Sequence, residues 1–397
     1  MYVVANTEEL VADNIIGPDA AREIERRGRG AMVTLAINLV LCFGILAATG
    51  GLIFWLADAL SVAVVGACLL GGGLFALFKA PETYRMFGNA AALIGAGMLM
   101  GGAAIELLEK YEGIAGWVMI ALGGAVAALA SRAMWKGGVT ARFVAGSILL
   151  MGLAMHLFGV GYLLEQAEVT GLSKSLFYLY AAVVVAAAGW VTDVRFVTAL
   201  AIIPFSQMLE TGTAYFHAAY VFYSPESTLT IIQMALLIGT LIWFVRSQPE
   251  RTARHGRVLI IMAFVVANLS ALVGSLWGDF VGETVWGPGQ WYGSRFVGDY
   301  SGWLEARDAF RETAISLSEN VYTVLWAVAL ALIIGWAAHK SNRGLFNAGI
   351  TFAGIHAYTQ LFESFGDEPL AWVLGGFAAI PLAWGMWRLN QRWTQHE

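Results

Sequence analysis

The sequence predicts an all-α fold: a polytopic transmembrane helical bundle of about twelve helices arranged as repeated hairpins, N-in and C-in. Three observations carry this expectation. The composition is too apolar for a water-exposed surface, the apolar residues fall in stretches long enough to cross a bilayer, and the charges between them alternate in sign. Of 397 residues, 58% are hydrophobic and 13% charged. A soluble domain averages about 45–50% apolar and about 25% charged, so lipid is the natural solvent for this chain. Its 46 glycines suit the same setting, where small residues let helix backbones approach closely.

Residues 1–30 read as a cytoplasmic helical head. Thr7-Glu8-Glu9-Leu10-Val11 opens a short helix, Gly17-Pro18-Asp19 breaks it, and a second helix runs from Asp19 to Arg27 with Pro18 near its first turn. No short apolar core with a small-residue cleavage site precedes the first apolar run, which is therefore read as a true span. Spans are expected near 31–56, 59–79, 87–108, 113–135, 142–164, 174–191, 196–221, 228–246, 257–278, 315–338, 344–363 and 369–388. Gly50-Gly51 and Asp58 separate the first two. Nine helices thus fill 31–278, an external aromatic segment occupies 279–314, three helices follow over 315–388, and 389–397 form a cytoplasmic tail.

Loop charge tests the count. One set of connections carries Lys79 and Arg85; Arg132, Lys136 and Arg142; Arg195; Arg246, Arg251, Arg254 and Arg257; Lys340 and Arg343; and Arg388 and Arg392. The alternate set carries Asp58; Glu109 and Glu112; Glu165 and Glu168; Glu226; and Asp367 and Glu368. Basic loops stay cytoplasmic, which orients every span and puts both termini in the cytoplasm. Outward-running helices start at Arg85, Arg142, Arg195, Arg257 and Arg343, so one helical hairpin is used repeatedly. The alternative is that every membrane hairpin needs a basic inner anchor. In the external segment, Trp286, Trp291, Tyr292, Tyr300 and Trp303 flank a Gly287-Pro288-Gly289 turn, and residues 302–313 suit a short amphipathic helix on the membrane surface. The segment reads either as an interfacial aromatic belt or as a lid or docking loop.

Polar residues inside the spans are the candidate site. Counted from the cytoplasmic anchors at 1.5 Å per residue, His156, Glu210, His356 and Gln233 all lie about 20 Å up their helices. Gln207, Asn268 and Gln360 fall near the same level. Gln207, Glu210, Thr211, Ala214 and His217 recur at helical spacing, giving the seventh span a polar stripe. Pro204, one turn below, cannot donate its backbone hydrogen bond and acts as a hinge. Ionisable groups at such depth face a bundle interior or a wet cavity. Each residue alone also reads as helix glue, Gln233 and Asn268 above all. Glu210 is the exception, because an unpaired carboxylate in lipid needs a partner, and His156 and His356 are the candidates. Cys42 and Cys68 read as small hydrophobes. No metal site, cofactor site or catalytic constellation emerges: there is no CxxC, HExxH, Walker motif or nucleophile elbow. No basic run points to nucleic acid.

The segment Glu9-Leu10-Val11-Ala12-Asp13-Asn14-Ile15-Ile16-Gly17-Pro18-Asp19-Ala20-Ala21-Arg22-Glu23-Ile24 resembles the cytoplasmic helix-turn-helix that opens a widespread bacterial family of polytopic membrane proteins, known only as a domain of unknown function. Ile53-Phe54-Trp55-Leu56-Ala57-Asp58 and the C-terminal hairpin from Leu345-Phe346-Asn347-Ala348-Gly349 through Leu361-Phe362-Glu363, Gly375-Gly376 and the basic end fit it as well. Gln360 stands where that family carries an arginine. The resemblance implies topology and bacterial origin, hence a multi-pass place in a bacterial cytoplasmic (inner) membrane, and no activity.

Two function classes follow. In one, the chain is a transporter or flippase whose outward-facing polar site binds a small polar solute or a lipid headgroup. In the other, it is a non-catalytic structural or accessory subunit that docks a protein partner through 1–30 or 279–314. A membrane enzyme acting on lipid-linked substrates is a third, weaker reading. Membrane lipids are partners in every case.

Overall fold

A computed structural model of the chain describes residues 7–12, 14–56, 58–79, 85–136, 139–216, 219–289, 299–365 and 367–394. It is 83% helical and divides into two compact units, residues 1–167 and 168–397.

The first unit begins with α1 (Thr7–Ala12), closed by a turn in which Ile15 N–H bonds Leu10 O and Asn14 takes a left-handed conformation. Helix α2 then runs unbroken from Pro18 to Leu56. The expected boundary between a cytoplasmic helix and a first span at residue 31 is thus absent. Pairs three or four residues apart, Arg22–Asp19, Arg26–Glu23, Arg27–Glu23 and Arg29–Glu25, support the polar end of this helix, and no proline interrupts it before the apolar run.

Two tight hairpins follow. Helix α3 (Ala59–Lys79) packs on α4 (Arg85–Lys110), and α5 (Glu112–Lys136) on α6 (Val139–Gln166). Each turns at its basic end. Their seams are glycines seven residues apart: Gly66 with Gly73, Gly95 with Gly102, Gly116 with Gly123, and Gly152 with Gly159. A Cβ added at Gly95 would lie 2.2 Å from Leu70 N, and one at Gly123 would lie 2.5 Å from His156 N. Backbone therefore meets backbone, and a seven-residue period keeps the seam aligned between slightly inclined helices.

The second unit opens with α7 (Leu172–Thr192). The chain then returns along α7 as two short helices, α8 (Arg195–Leu200) and α9 (Ile202–Gln207), followed by an antiparallel hairpin of β1 (Gly212–Phe216) and β2 (Ala219–Tyr223) with Gly212 opposite Tyr223. The helix interruption at Ala201 falls where Pro204 cannot donate to Leu200 O, and Pro204 itself sits in the first turn of α9, where no N–H is needed. The hinge expected at Pro204 is thus a break between two helices. The single helical span expected over 196–221 does not form. Gln207, Glu210, Thr211 and Ala214 consequently do not make a helical stripe, and His217 lies outside the described residues.

Helices α10 (Ser227–Val245) and α11 (Glu250–Trp277) form the next hairpin. Strands β3 (Asp279–Phe280) and β4 (Ser316–Leu317) pair across the external segment, which contains α12 (Tyr300–Thr313), beginning two residues before the expected start. Trp291 and Tyr292 lie outside the described residues. Helices α13 (Glu319–His339), α14 (Arg343–Phe365) and α15 (Pro369–Thr394) complete the chain.

Among the described residues, eight helices are long and apolar enough to cross a membrane: α3, α4, α5, α6, α7, α10, α11 and α13. This is the build of a multi-pass membrane protein, and the large exposed apolar residues such as Phe75, Leu129, Leu236 and Leu332 suit a lipid surround. The expected spans 31–56, 344–363 and 369–388 correspond to α2, α14 and α15, which are not among the eight; polar residues such as Arg343, Asn347, His356, Gln360 and Glu363 dilute the apolar character of α14.

Within the second unit the charge alternation becomes geometry. At the basic end, Arg251 donates to Trp190 O at 2.8 Å and lies over the Trp190 ring, and Trp190 Nε1 donates to Thr252 at 3.1 Å. Asp193, left-handed at the C-cap of α7, accepts from His255 Nε2 at 3.0 Å, while His255 Nδ1 shares a hydrogen bond with Thr198 at 2.6 Å. The turns after α7 and α10 therefore lie side by side. The hydrogen bond from His255, helped by Arg251 and Arg254, holds the Asp193 carboxyl below the usual aspartate range.

Candidate binding cavity

At the opposite end of this unit, two buried carboxylates organise the chain. Glu226, fully buried at the N-cap of α10, does not cap its own helix. It accepts from Gly282 N at 2.7 Å, Thr284 N at 2.6 Å and Thr284 Oγ1 at 2.9 Å. Asp279 takes over the capping role: it accepts from Thr228 N at 2.8 Å in the first turn of α10, from Thr228 Oγ1, and from Tyr322 OH at 3.2 Å. A carboxylate at a helix N-terminus is favoured by the free N–H groups and the helix dipole. Burial pushes the Glu226 carboxyl above its usual range against the opposing pull of the Thr284 and Gly282 hydrogen bonds, and the Asp279 charge adds to the rise. Behind these acids, Thr211 bonds Ser224 at 3.0 Å and Thr230 at 2.8 Å, anchoring the β1–β2 hairpin to α10.

The clasped residues 279–289 form a compact wall. Gly282 (φ +89°) bears the Trp286 ring so closely that a Cβ there would lie 1.8 Å from it, so only glycine fits. Arg311 of α12 makes two bonds to the Glu283 carboxylate, at 2.7 and 3.0 Å, and lies over Phe280. Trp303 Nε1 donates to Gly289 O at 3.0 Å. The wall and α12 are thus one piece.

Beneath that piece is a cavity of about 630 Å³. Its other side is the start of α7, with Gly171, Lys174, Ser175 and Tyr178, and the turn after α9, with Gln207, Met208 and Glu210. Ser175 Oγ donates to Met208 O at 2.9 Å, which locks these two segments together. The turn is closed by Thr211 N–H to Ser206 O and Glu210 N–H to Gln207 O, the paired bonds of a Schellman motif. Glu210 occupies its left-handed position with φ 57°, where glycine is favoured and another L-residue costs about 1 kcal/mol. Gly212 leaves room for Gln207, whose Nε2 would lie 2.0 Å from a Cβ at that position.

Of the residues expected to form a site, the cavity brings together Gln207 and Glu210. The others do not line it. His156, in the first unit, donates from Nδ1 to Ile120 O at 2.9 Å. Gln233 donates to Phe205 O at 2.9 Å, tying α10 to α9. Asn268 accepts from Trp326 Nε1 at 2.9 Å and donates to Phe264 O at 2.8 Å. His356 meets the Trp326 ring edge-on, 4.6 Å between centroids. His356 Nδ1 and Gln360 Nε2 are buried with no hydrogen bond among the described residues. Neither residue lines the cavity. Sequence reasoning missed Lys174, Tyr178, Glu226 and Asp279 as site residues. Lys174 did carry a signal, as a lysine in an otherwise acidic connection. Among the described residues, no group of three or more His, Cys, Asp or Glu side chains could hold a metal ion.

No protein-family model, no curated protein and no solved structure matches this chain.

Proposed function

We propose that the chain is an inner-membrane protein of the transporter or flippase type, and that the cavity under α12 is its outward-facing binding site. The observation that carries this reading is a cavity of about 630 Å³, a size in the range of ligand sites, lined by Lys174, Glu210, Gln207, Tyr178 and Trp286 at the acidic end of the second unit. Loops poor in Lys and Arg face away from the cytoplasm, which makes the cavity open outward. A binding wall clasped by buried carboxylates is pre-organised, as a ligand site must be.

Cysteine accessibility tests the orientation. With Cys42 and Cys68 replaced by serine, Val285→Cys should react with a membrane-impermeant maleimide in intact spheroplasts. Reaction only after permeabilisation would refute the outward-facing site.

The accessory-subunit reading has its own support. His156, Gln233 and Asn268 are used in helix-to-helix hydrogen bonds, and α12 presents an exposed polar surface. It predicts that Glu210→Gln leaves complementation intact and that a second protein co-purifies through 279–314. The transport reading predicts loss of complementation with normal membrane levels.

A further inference from the structure

Two contrasts within the molecule single out a pair of residues in this cavity. The first concerns lysines and arginines on the acidic side. Lys110 pairs with Glu106 at 2.7 Å, Arg311 with Glu283 at 2.7 Å, and Arg307 with Asp308 at 3.3 Å. Lys174 lines the cavity and forms no ion pair among the described residues. The second concerns the two ends of the α8–α9 segment. Each end is an acidic residue in a left-handed position, Asp193 and Glu210. Asp193 is matched by His255 and Arg251. Glu210 has no ion-pair partner among the described residues, and it does not pair with Lys174 although both line the same cavity. Holding a glutamate at a glycine-favoured position without a local partner is a cost the fold gains nothing from; such outliers cluster at functional sites.

We infer that the cavity takes a zwitterion, with an ammonium group against Glu210 and an oxyanion against Lys174. This rests on the binding-site reading above and names the class of its ligand. The start of α7 beside Lys174 has no side-chain cap, so its free N–H groups add to the attraction for the oxyanion. The rings of Tyr178 and Trp286 on the same walls offer faces that an ammonium prefers. A ligand with one charge would leave either Lys174 or Glu210 unmatched in a partly desolvated space. The chemistry is common to a lipid headgroup such as that of phosphatidylethanolamine and to a free zwitterionic solute.

The test uses the purified full chain. In detergent, calorimetric titration compares O-phosphoethanolamine with ethanolamine and with inorganic phosphate. The zwitterion should bind about tenfold or more tightly than either single-charge probe, since each charged contact is worth at least that factor. Equal binding of a single-charge probe, or no binding of any probe there or in the lipid arm, overturns the inference. In the lipid arm, native mass spectrometry reads retention of phosphatidylethanolamine over phosphatidylglycerol from mixed nanodiscs. Retention of that lipid without binding of the soluble probe assigns the source as lipid, and binding of the soluble probe assigns a free solute.

Lys174→Glu and Glu210→Lys should each abolish the preference, and the double charge swap should restore it, because a zwitterion can bind reversed. Glu210→Gly separates site from scaffold. It relieves the left-handed turn, so thermal stability should hold or rise while zwitterion binding is lost; retained binding overturns the inference. Maleimide reactivity of Val285→Cys is read independently, so failure of the ligand class and failure of the outward-facing site are distinguishable.

Discussion

The two halves of this chain solve helix packing in different ways. In residues 1–167 the hairpins are zipped by glycines at seven-residue spacing, most of which set backbone against backbone. In residues 168–397 the helices are broken, capped and tied by polar side chains: Asp193–His255–Thr198 at one end, Glu226 and Asp279 at the other, Gln233 and Asn268 between. Close backbone contact leaves no room for a ligand. Side-chain ties hold segments apart at defined distances, and the cavity lies in the half that uses them.

The largest effect that could break this comparison is steric. In Gly95→Val the new side chain meets Leu70 backbone, which cannot move aside. Overpacking of this kind costs about 3 kcal/mol or more. Gly239→Val on α10, where nothing lies within 4 Å, is the control and should be near neutral. Denaturant titration of both in detergent reads the difference, and equal behaviour would remove the distinction between the halves.

Next is the polar clasp. Asp279→Ala strands the Thr228 N–H, the Thr228 hydroxyl and the Tyr322 hydroxyl, and should cost about 2 kcal/mol. The more useful readout is local: limited proteolysis between 279 and 314 should accelerate in Asp279→Ala and in Glu226→Ala, with the first unit unaffected.

The smallest effect sharpens the comparison through its sign. Asp193 is held below the usual aspartate range, so its contribution is present above that range and is lost as pH falls through the lowered value. The stability gap between wild type and Asp193→Asn should close below about pH 4 and stay under about 1 kcal/mol throughout, because the pair is half exposed. Glu226 is shifted upward, so its contribution is present at acid pH and lost as pH rises through the raised value. Wild type should then lose ground to Glu226→Gln on going from acid to neutral. A pH series of thermal melts on the two variants tests for opposite slopes.

Much of the architecture was legible in the sequence because charge marks helix ends. Helices α4, α8 and α14 start at the arginines read as anchors, Arg85, Arg195 and Arg343. The interruption near Pro204 was legible for a different local reason, a missing N–H. The β-hairpin was not. Thr213 to Tyr223 is apolar enough to pass for membrane helix, and its aromatic residues at Tyr215, Tyr220 and Phe222, a strand signal, were outweighed by the helical spacing of Gln207, Glu210 and Thr211. Depth counting then set Glu210 mid-helix, whereas the turn puts it at a cavity mouth. Glu226 and Asp279 look like ordinary loop acids in one dimension. Their partners, Thr284 and Tyr322, are 58 and 43 residues away, and nothing local announces such contacts.

The basic turns have a consequence for how the protein is made. Only residues 137–138 separate α5 from α6, and 80–84 separate α3 from α4. Each glycine seam therefore joins segments that are neighbours in the chain, so the loop to be closed is short and its entropic cost small. Helix pairs of this kind can find their partner as soon as both have entered the bilayer, without waiting for the rest of the polypeptide. The clasped end of the second half cannot assemble that way: the Asp279 and Glu226 clasps require α10, α11 and α13 together. Biogenesis should accordingly proceed from a first half that is complete early to a cavity that is finished last.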